Sequence, residues 1–161
     1  MNILFFLTPK SEVAYIYEDE SLRQALEKME YHKYSSIPMI SRTGRYIGTI
    51  TEGDMLWGIK NKFNLNLKEA EHVPVTAIPR RMDYLPVKID SRMEDMLDRA
   101  LNQNFIPVVD DQKNFIGIIT RKEIIKYFYQ KMSREGTAKE PEISRYMERS
   151  EERRVGKECR S

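Results

Sequence analysis

Apolar and polar positions along this chain form short strand-like runs and helical stripes, and the same succession comes round twice. Residues 13–17 are β-branched and aromatic and read as a strand. Ser21 then opens a capping box with Gln24, in which the two side chains satisfy each other's orphan backbone amides. Leu22, Ala25, Leu26 and Met29 follow at helical spacing and give that helix one apolar face. Residues 37–40 and 46–50 are short strands, and the turn Arg42-Thr43-Gly44-Arg45 makes them a hairpin. A helix from about Glu52 carries Met55, Leu56 and Ile59 on its buried side. The order then recurs. Residues 85–89 form the strand, and Ser91-Arg92-Met93-Glu94 supplies a second capping box. Met93, Met96, Leu97, Ala100 and Leu101 give the stripe of a slightly shorter helix. Residues 106–109 and 115–119 form the second hairpin, and a last helix runs from about Arg121 through Tyr127 and Phe128.

The recurrence is also literal. Tyr46-Ile47-Gly48-Thr49-Ile50-Thr51-Glu52-Gly53-Asp54 is echoed by Phe115-Ile116-Gly117-Ile118-Ile119-Thr120-Arg121-Lys122-Glu123. Ile37-Pro38 returns as Ile106-Pro107, and Thr8-Pro9-Lys10 has a counterpart in Ile78-Pro79-Arg80. An internal repeat sets the structural unit before any fold is assigned. The expected division is a first unit over residues 1–62, a connector over 63–77, a second unit over 78–132 and a tail over 133–161. Leu65, Leu67 and Val75 of the connector are expected to pack on the core, as is the apolar opening Ile3-Leu4-Phe5-Phe6-Leu7. The tail is expected to be disordered, and the stretch from about Ser150 reads as vector-derived rather than native. Strand, helix, strand, strand, helix, twice over, is an α+β architecture.

Composition narrows the function classes. Twenty-seven basic residues against 25 acidic give a net charge of +2, too even for a general nucleic-acid footprint. No apolar run approaches the length of a membrane span. One cysteine gives no disulfide framework, which fits a reducing cytoplasm. His32 and His72 lie outside any metal-ligand spacing, and no nucleophile elbow, phosphate-binding Gly-Lys loop or zinc-protease motif is present. An enzyme is not expected.

The apolar-Pro pairs, the Gly-x-x-Thr-x-x-Asp phrase and the order of elements together resemble the CBS domain (cystathionine β-synthase type). Two in tandem resemble a Bateman module, of the stand-alone bacterial CBS-pair type. The resemblance implies a non-enzymatic regulatory module that needs no cofactor and binds an adenosine-containing nucleotide (AMP, ATP or cyclic di-AMP) between its units. It also implies a homodimer and an unnamed protein partner, with no role for nucleic acid or membrane. The alternative is a ligand-independent dimerisation or protein-interaction module. Candidate ligand residues in the first copy are Thr8, Lys10, Ser36, Ile37, Pro38, Thr51 and Asp54. Those in the second are Arg80, Phe105, Ile106, Pro107, Thr120, Arg121, Lys122 and Glu123. A carboxylate at Asp54 would accept bonds from ribose hydroxyls, with the helix N-terminus beside it offering amides to phosphate. Ile37 and Ile106 are expected as apolar walls for the adenine. Gly48 and Gly117 would permit close backbone approach. Glu123 is a methylene longer than the usual aspartate, and Arg121-Lys122 places phosphate on the second copy's side.

Overall fold

The structure, a computed structural model, describes residues 2–135. The tail beyond them, with its expected disorder and vector-derived stretch, lies outside the described residues. The chain opens with a 3-10 turn, Ile3–Phe6, whose Ile3 is fully buried, and with a two-residue strand β1 (Thr8–Pro9). The expected strand over 13–17 shrinks to β2 (Ile16–Tyr17), because residues 10–12 are already coiled in a 3-10 turn closed by the Val13 amide on the Lys10 carbonyl. Helix α1 (Leu22–His32) begins as expected. Gln24 N–H donates to Ser21 Oγ at 3.2 Å and Ser21 N–H to Gln24 Oε1 at 2.9 Å. Its buried face is Leu22, Ala25 and Met29, and Lys33 ends it in the left-handed conformation. Strands β3 (Ser36–Ile40) and β4 (Tyr46–Thr51) form the hairpin, with β2 parallel on β3's far edge. Helix α2 (Glu52–Phe63) follows, then a single turn α3 (Leu67–Ala70).

The second copy departs from expectation at its first helix. Ser91 does not cap it; the residue lies one position too early, its amide closing a turn on the Lys88 carbonyl just after β5 (Val87–Lys88). Arg92 takes the cap position, its N–H donating to Asp95 Oδ2 at 3.0 Å. The first turn, Met93–Met96, is 3-10, with Met93 and Met96 buried at a spacing of three, and only Leu97–Asn102 is α-helical (α4). That phase change leaves Leu97 and Leu101 on the outer surface, where a continuous α-helix would have buried them. In the first copy Leu56 is exposed while Met55 is buried, and Leu65 and Leu67 of the connector are exposed while Val75 is buried. Strands β6 (Phe105–Val109) and β7 (Phe115–Thr120) and helix α5 (Arg121–Arg134) complete the copy.

One feature of the topology was not legible in the repeat. The sheets run β2-β3-β4 and β1-β7-β6-β5, so the first copy's leading strand belongs to the second copy's sheet. Thr8 lies opposite Ile118 and Pro9 opposite Gly117. The counterpart segment goes the other way: Ile78 is buried in the first core beside Ile37, Ile50 and Met55, and the Arg80 side chain lies across Gly48. The two leading segments are exchanged. A third cluster, Val13, Ile40 and Phe115 flanked by Tyr15, Tyr17 and Tyr46, seals the units together. There the hairpin turns also bond each other, Phe115 N–H to Gly44 O at 2.9 Å and Tyr46 N–H to Lys113 O at 3.1 Å.

The glycines divide in what they support. A Cβ on Gly117 (φ +155°) would stand 2.2 Å from the Thr8 carbonyl oxygen, which is backbone and cannot step aside. A Cβ on Gly48 would meet only the guanidinium end of Arg80, from 2.6 Å. Gly117→Ala is therefore expected to cost ~1–3 kcal/mol through overpacking and backbone strain, whereas Gly48→Ala only displaces Arg80. Thermal melts should show a loss of several degrees for the first variant and little change for the second. Equal melting temperatures would contradict the exchange.

Candidate functional site

The first copy's motif folds into a reciprocal helix cap. Asp54 N–H donates to Thr51 Oγ1 and Thr51 N–H donates to Asp54 Oδ2, both at 3.0 Å. The other carboxylate oxygen, Oδ1, accepts the Arg81 N–H at 2.9 Å. Asp54 is 2% exposed, a burial that a carboxylate tolerates only with such donors and the positive end of a helix beside it. It thus joins strand end, helix start and the second copy's leading segment. The sequence suggested a carboxylate open to two ribose hydroxyls. Each oxygen instead already holds a backbone amide and keeps one lone-pair direction.

Beside Asp54 opens a cavity of about 550 Å³, walled by Trp57, Lys60 and Lys62 on or near α2 and by Pro79 and Arg81 from the exchanged segment. The Arg81 guanidinium lies 5.8 Å and the Lys60 ammonium 5.1 Å from the centre of the Trp57 ring, within cation–π range. Lys62 Nζ donates to the Ala77 carbonyl at 3.1 Å. Trp57 and Arg81 were not among the sequence candidates. The signal for Trp57 was its position one helical turn after Asp54. Arg81 gave none, because only the exchange brings it here.

The remaining candidates are placed as follows. Ile37 and Ile106, expected as walls for a purine, are fully buried in the two separate cores. Pro38 is buried on β3 and Pro107 on β6, opposite Thr49 and Ile118 respectively. Ser36 stands opposite Thr51, 1% exposed, and its Oγ has no hydrogen-bond partner. Phe105 is buried with its ring 5.0 Å from that of Tyr84. Arg80 is drawn to Asp83, Nε to Oδ1 at 2.8 Å. On the second copy's side, Thr8 lies against β7, and the turn that begins with Lys10 packs on the same strand. Lys10 Nζ sits 5.3 Å from the Tyr15 ring centre. Thr120 Oγ1 accepts the Glu123 N–H at 3.3 Å, but no bond returns from the longer carboxylate to the Thr120 amide. Arg121 spends its amide on the Asn104 carbonyl and its Nε on that of Gln103, at 2.9 and 3.1 Å. Lys122 lies next to it in the first turn of α5. The exchange therefore brings Arg80 and Arg81 to the first motif, whereas the Lys10 ammonium stands by Tyr15 and the hairpin turn at Gly44.

Because Asp54 anchors two amides, Asp54→Ala should destabilise the fold by ~2 kcal/mol, from a lost cap and a buried donor left unpaired. Thr51→Ala should cost about 1 kcal/mol, the loss of the cap alone. Chemical denaturation of both variants checks the order, and Thr51→Ala proving the more damaging would contradict the Asp54–Arg81 link.

Comparison with known proteins bears on the family and the fold. The CBS domain pattern matches residues 6–61 and again 75–130. Uncharacterized protein MJ1225 of Methanocaldococcus jannaschii is 26% identical over 117 residues, spanning 68% of this chain but 41% of that protein. Among solved structures, CbpB of Listeria monocytogenes in complex with c-di-AMP superposes with a TM-score of 0.71 at 21% identity, covering 81% of this chain and 97% of the other. CBSX2 in complex with AMP superposes at 0.64 with 24% identity, covering 80% and 96%. With two matched units filling most of its length and that fold around them, the chain belongs to the CBS-domain family.

Proposed function

We propose that this CBS pair is a non-enzymatic regulatory module that takes an adenosine-containing nucleotide in the cleft between its units. The observation that carries the reading is the first-copy cleft itself, where a helix N-terminus, a buried carboxylate, an indole and three cations from both units border one cavity. Solved relatives of the same fold hold c-di-AMP and AMP, which supports an adenine ligand here. The mechanism is differential affinity. A ligand touching both α2 and the 78–83 segment prefers one arrangement of the two units, and it shifts that balance only by the difference in binding. Among the described residues no group of His, Cys, Asp and Glu is placed to hold a metal, and no helix is long and apolar enough to cross a membrane.

Trp57 is the only tryptophan in the chain, so ligand entering this cavity has a built-in reporter. Adenine nucleotides should change its fluorescence and raise the melting temperature by several degrees, since a hundredfold excess over Kd adds ~2.7 kcal/mol. Cyclic di-GMP should do neither. If AMP, ATP and cyclic di-AMP leave both signals unmoved, the regulatory reading fails and the interaction-module alternative takes its place.

A homodimer is the second element of the proposal, supported by apolar side chains standing out from the helices of both copies. Leu56 borders a groove of about 840 Å³ between α1 and α2 with Leu26, Met29 and Ile59. Leu97, Leu101 and Ile125 stand exposed on α4 and α5. Leu101 is 79% exposed, so Leu101→Glu should leave the fold intact. Sedimentation velocity should show wild-type dimers and a shift toward monomer for the variant, whereas a wild-type monomer rejects the assembly.

A further inference from the structure

We infer that the Trp57 cavity is an oligophosphate seat, so that the first-copy cleft selects nucleotides carrying a phosphate chain over nucleoside monophosphates. This rests on the nucleotide reading above and deepens it. Three cations border the cavity, Lys60, Lys62 and Arg81, and among the described residues none lies within 4 Å of a carboxylate oxygen as an ion pair. The neighbouring arginine shows the contrast, since Arg80 is neutralised by Asp83. The one acid in the wall, Asp54, is turned to backbone amides by both oxygens. The cavity therefore carries three positive charges against one, and that one is internally solvated.

Two details argue against a second base in this space and for phosphate. The Trp57 ring already has two cations over it, which leaves the indole as a platform that holds positive charge in place rather than one open for stacking. Lys62, exposed at the cavity's edge, donates to the Ala77 carbonyl and has two ammonium protons left to donate. An arginine fork beside two lysine point charges suits several phosphoryl groups better than one. The sequence placed phosphate on the second copy's side at Arg121 and Lys122. In the structure Arg121 spends its amide and Nε on backbone carbonyls, whereas the first-copy trio is uncommitted to any acid.

The test titrates the full chain with AMP, ADP, ATP and inorganic tripolyphosphate, followed by Trp57 fluorescence and by calorimetry. It is repeated on Lys60→Ala/Lys62→Ala and on Arg81→Ala, which keeps the amide that Asp54 accepts; melting temperatures check that both variants stay folded. Wild type should bind ATP roughly tenfold or more tighter than AMP, and tripolyphosphate alone should perturb Trp57. In the lysine variant the ATP advantage should collapse to about twofold with AMP unchanged, as expected for charges that meet only the chain's outer phosphates. If AMP and ATP bind equally and the variants do not matter, the oligophosphate seat is wrong while nucleotide binding stands. If no nucleotide binds but tripolyphosphate does, and the variants abolish it, the seat holds and the nucleotide reading falls. Tripolyphosphate without effect on wild type overturns the inference.

Discussion

The exchange of leading segments is the constraint on which the rest of this structure depends. Each unit of about sixty residues is near the lower limit at which a single apolar core sustains itself. Neither core here is built from its own unit alone. Ile78 fills the first core, Ile3 the second, and β1 completes the second sheet. Separating the copies would therefore open both cores, beyond the loss of the aromatic seam around Phe115. The pair is one cooperative body, joined along that seam.

The two copies diverge at the helix cap and at one glycine. Asp54 is short enough to bond the Thr51 amide while its other oxygen holds Arg81, and the first cleft is closed at its base by that pair. Glu123 returns no bond to the Thr120 amide, so the second cap is one-sided. One turn further on, Gly58 lets Ile78 lie directly against α2, where the second copy has Tyr127 packed edge-on against Phe6 at 5.4 Å. The repeat keeps the scaffold and changes the contents of its two clefts.

Much of this was legible in the sequence where local rules act alone. Ser21-Gln24 capped α1 as read, both hairpins formed, and the motif threonines landed at the junction of strand and helix. Local rules failed where a neighbour competed for the same atoms. The turn closed by Ser91 on Lys88 set the helix start one residue later, at Arg92, and the 3-10 turn that followed rotated Leu97 and Leu101 outward. The site was the least legible part. Strand alternation buried Ile37 and Ile106 in their own cores, and Arg81 reaches the first motif through a chain crossing that no local pattern encodes.

Asp54 is committed to the fold through both carboxylate oxygens. A carboxylate already satisfied by two amides gains little net energy from further hydrogen bonds, since each replaces one made to water. Under the function proposed above, affinity would then come mainly from the cations around Trp57, which no carboxylate pairs. Asp54 serves a different end: it fixes Arg81's backbone to α2, so the guanidinium and the lysines move as one body with the first unit. Under the function proposed above, an anion held there would act on α2 and the 78–83 segment together, and so on how that body sits against the rest of the second unit.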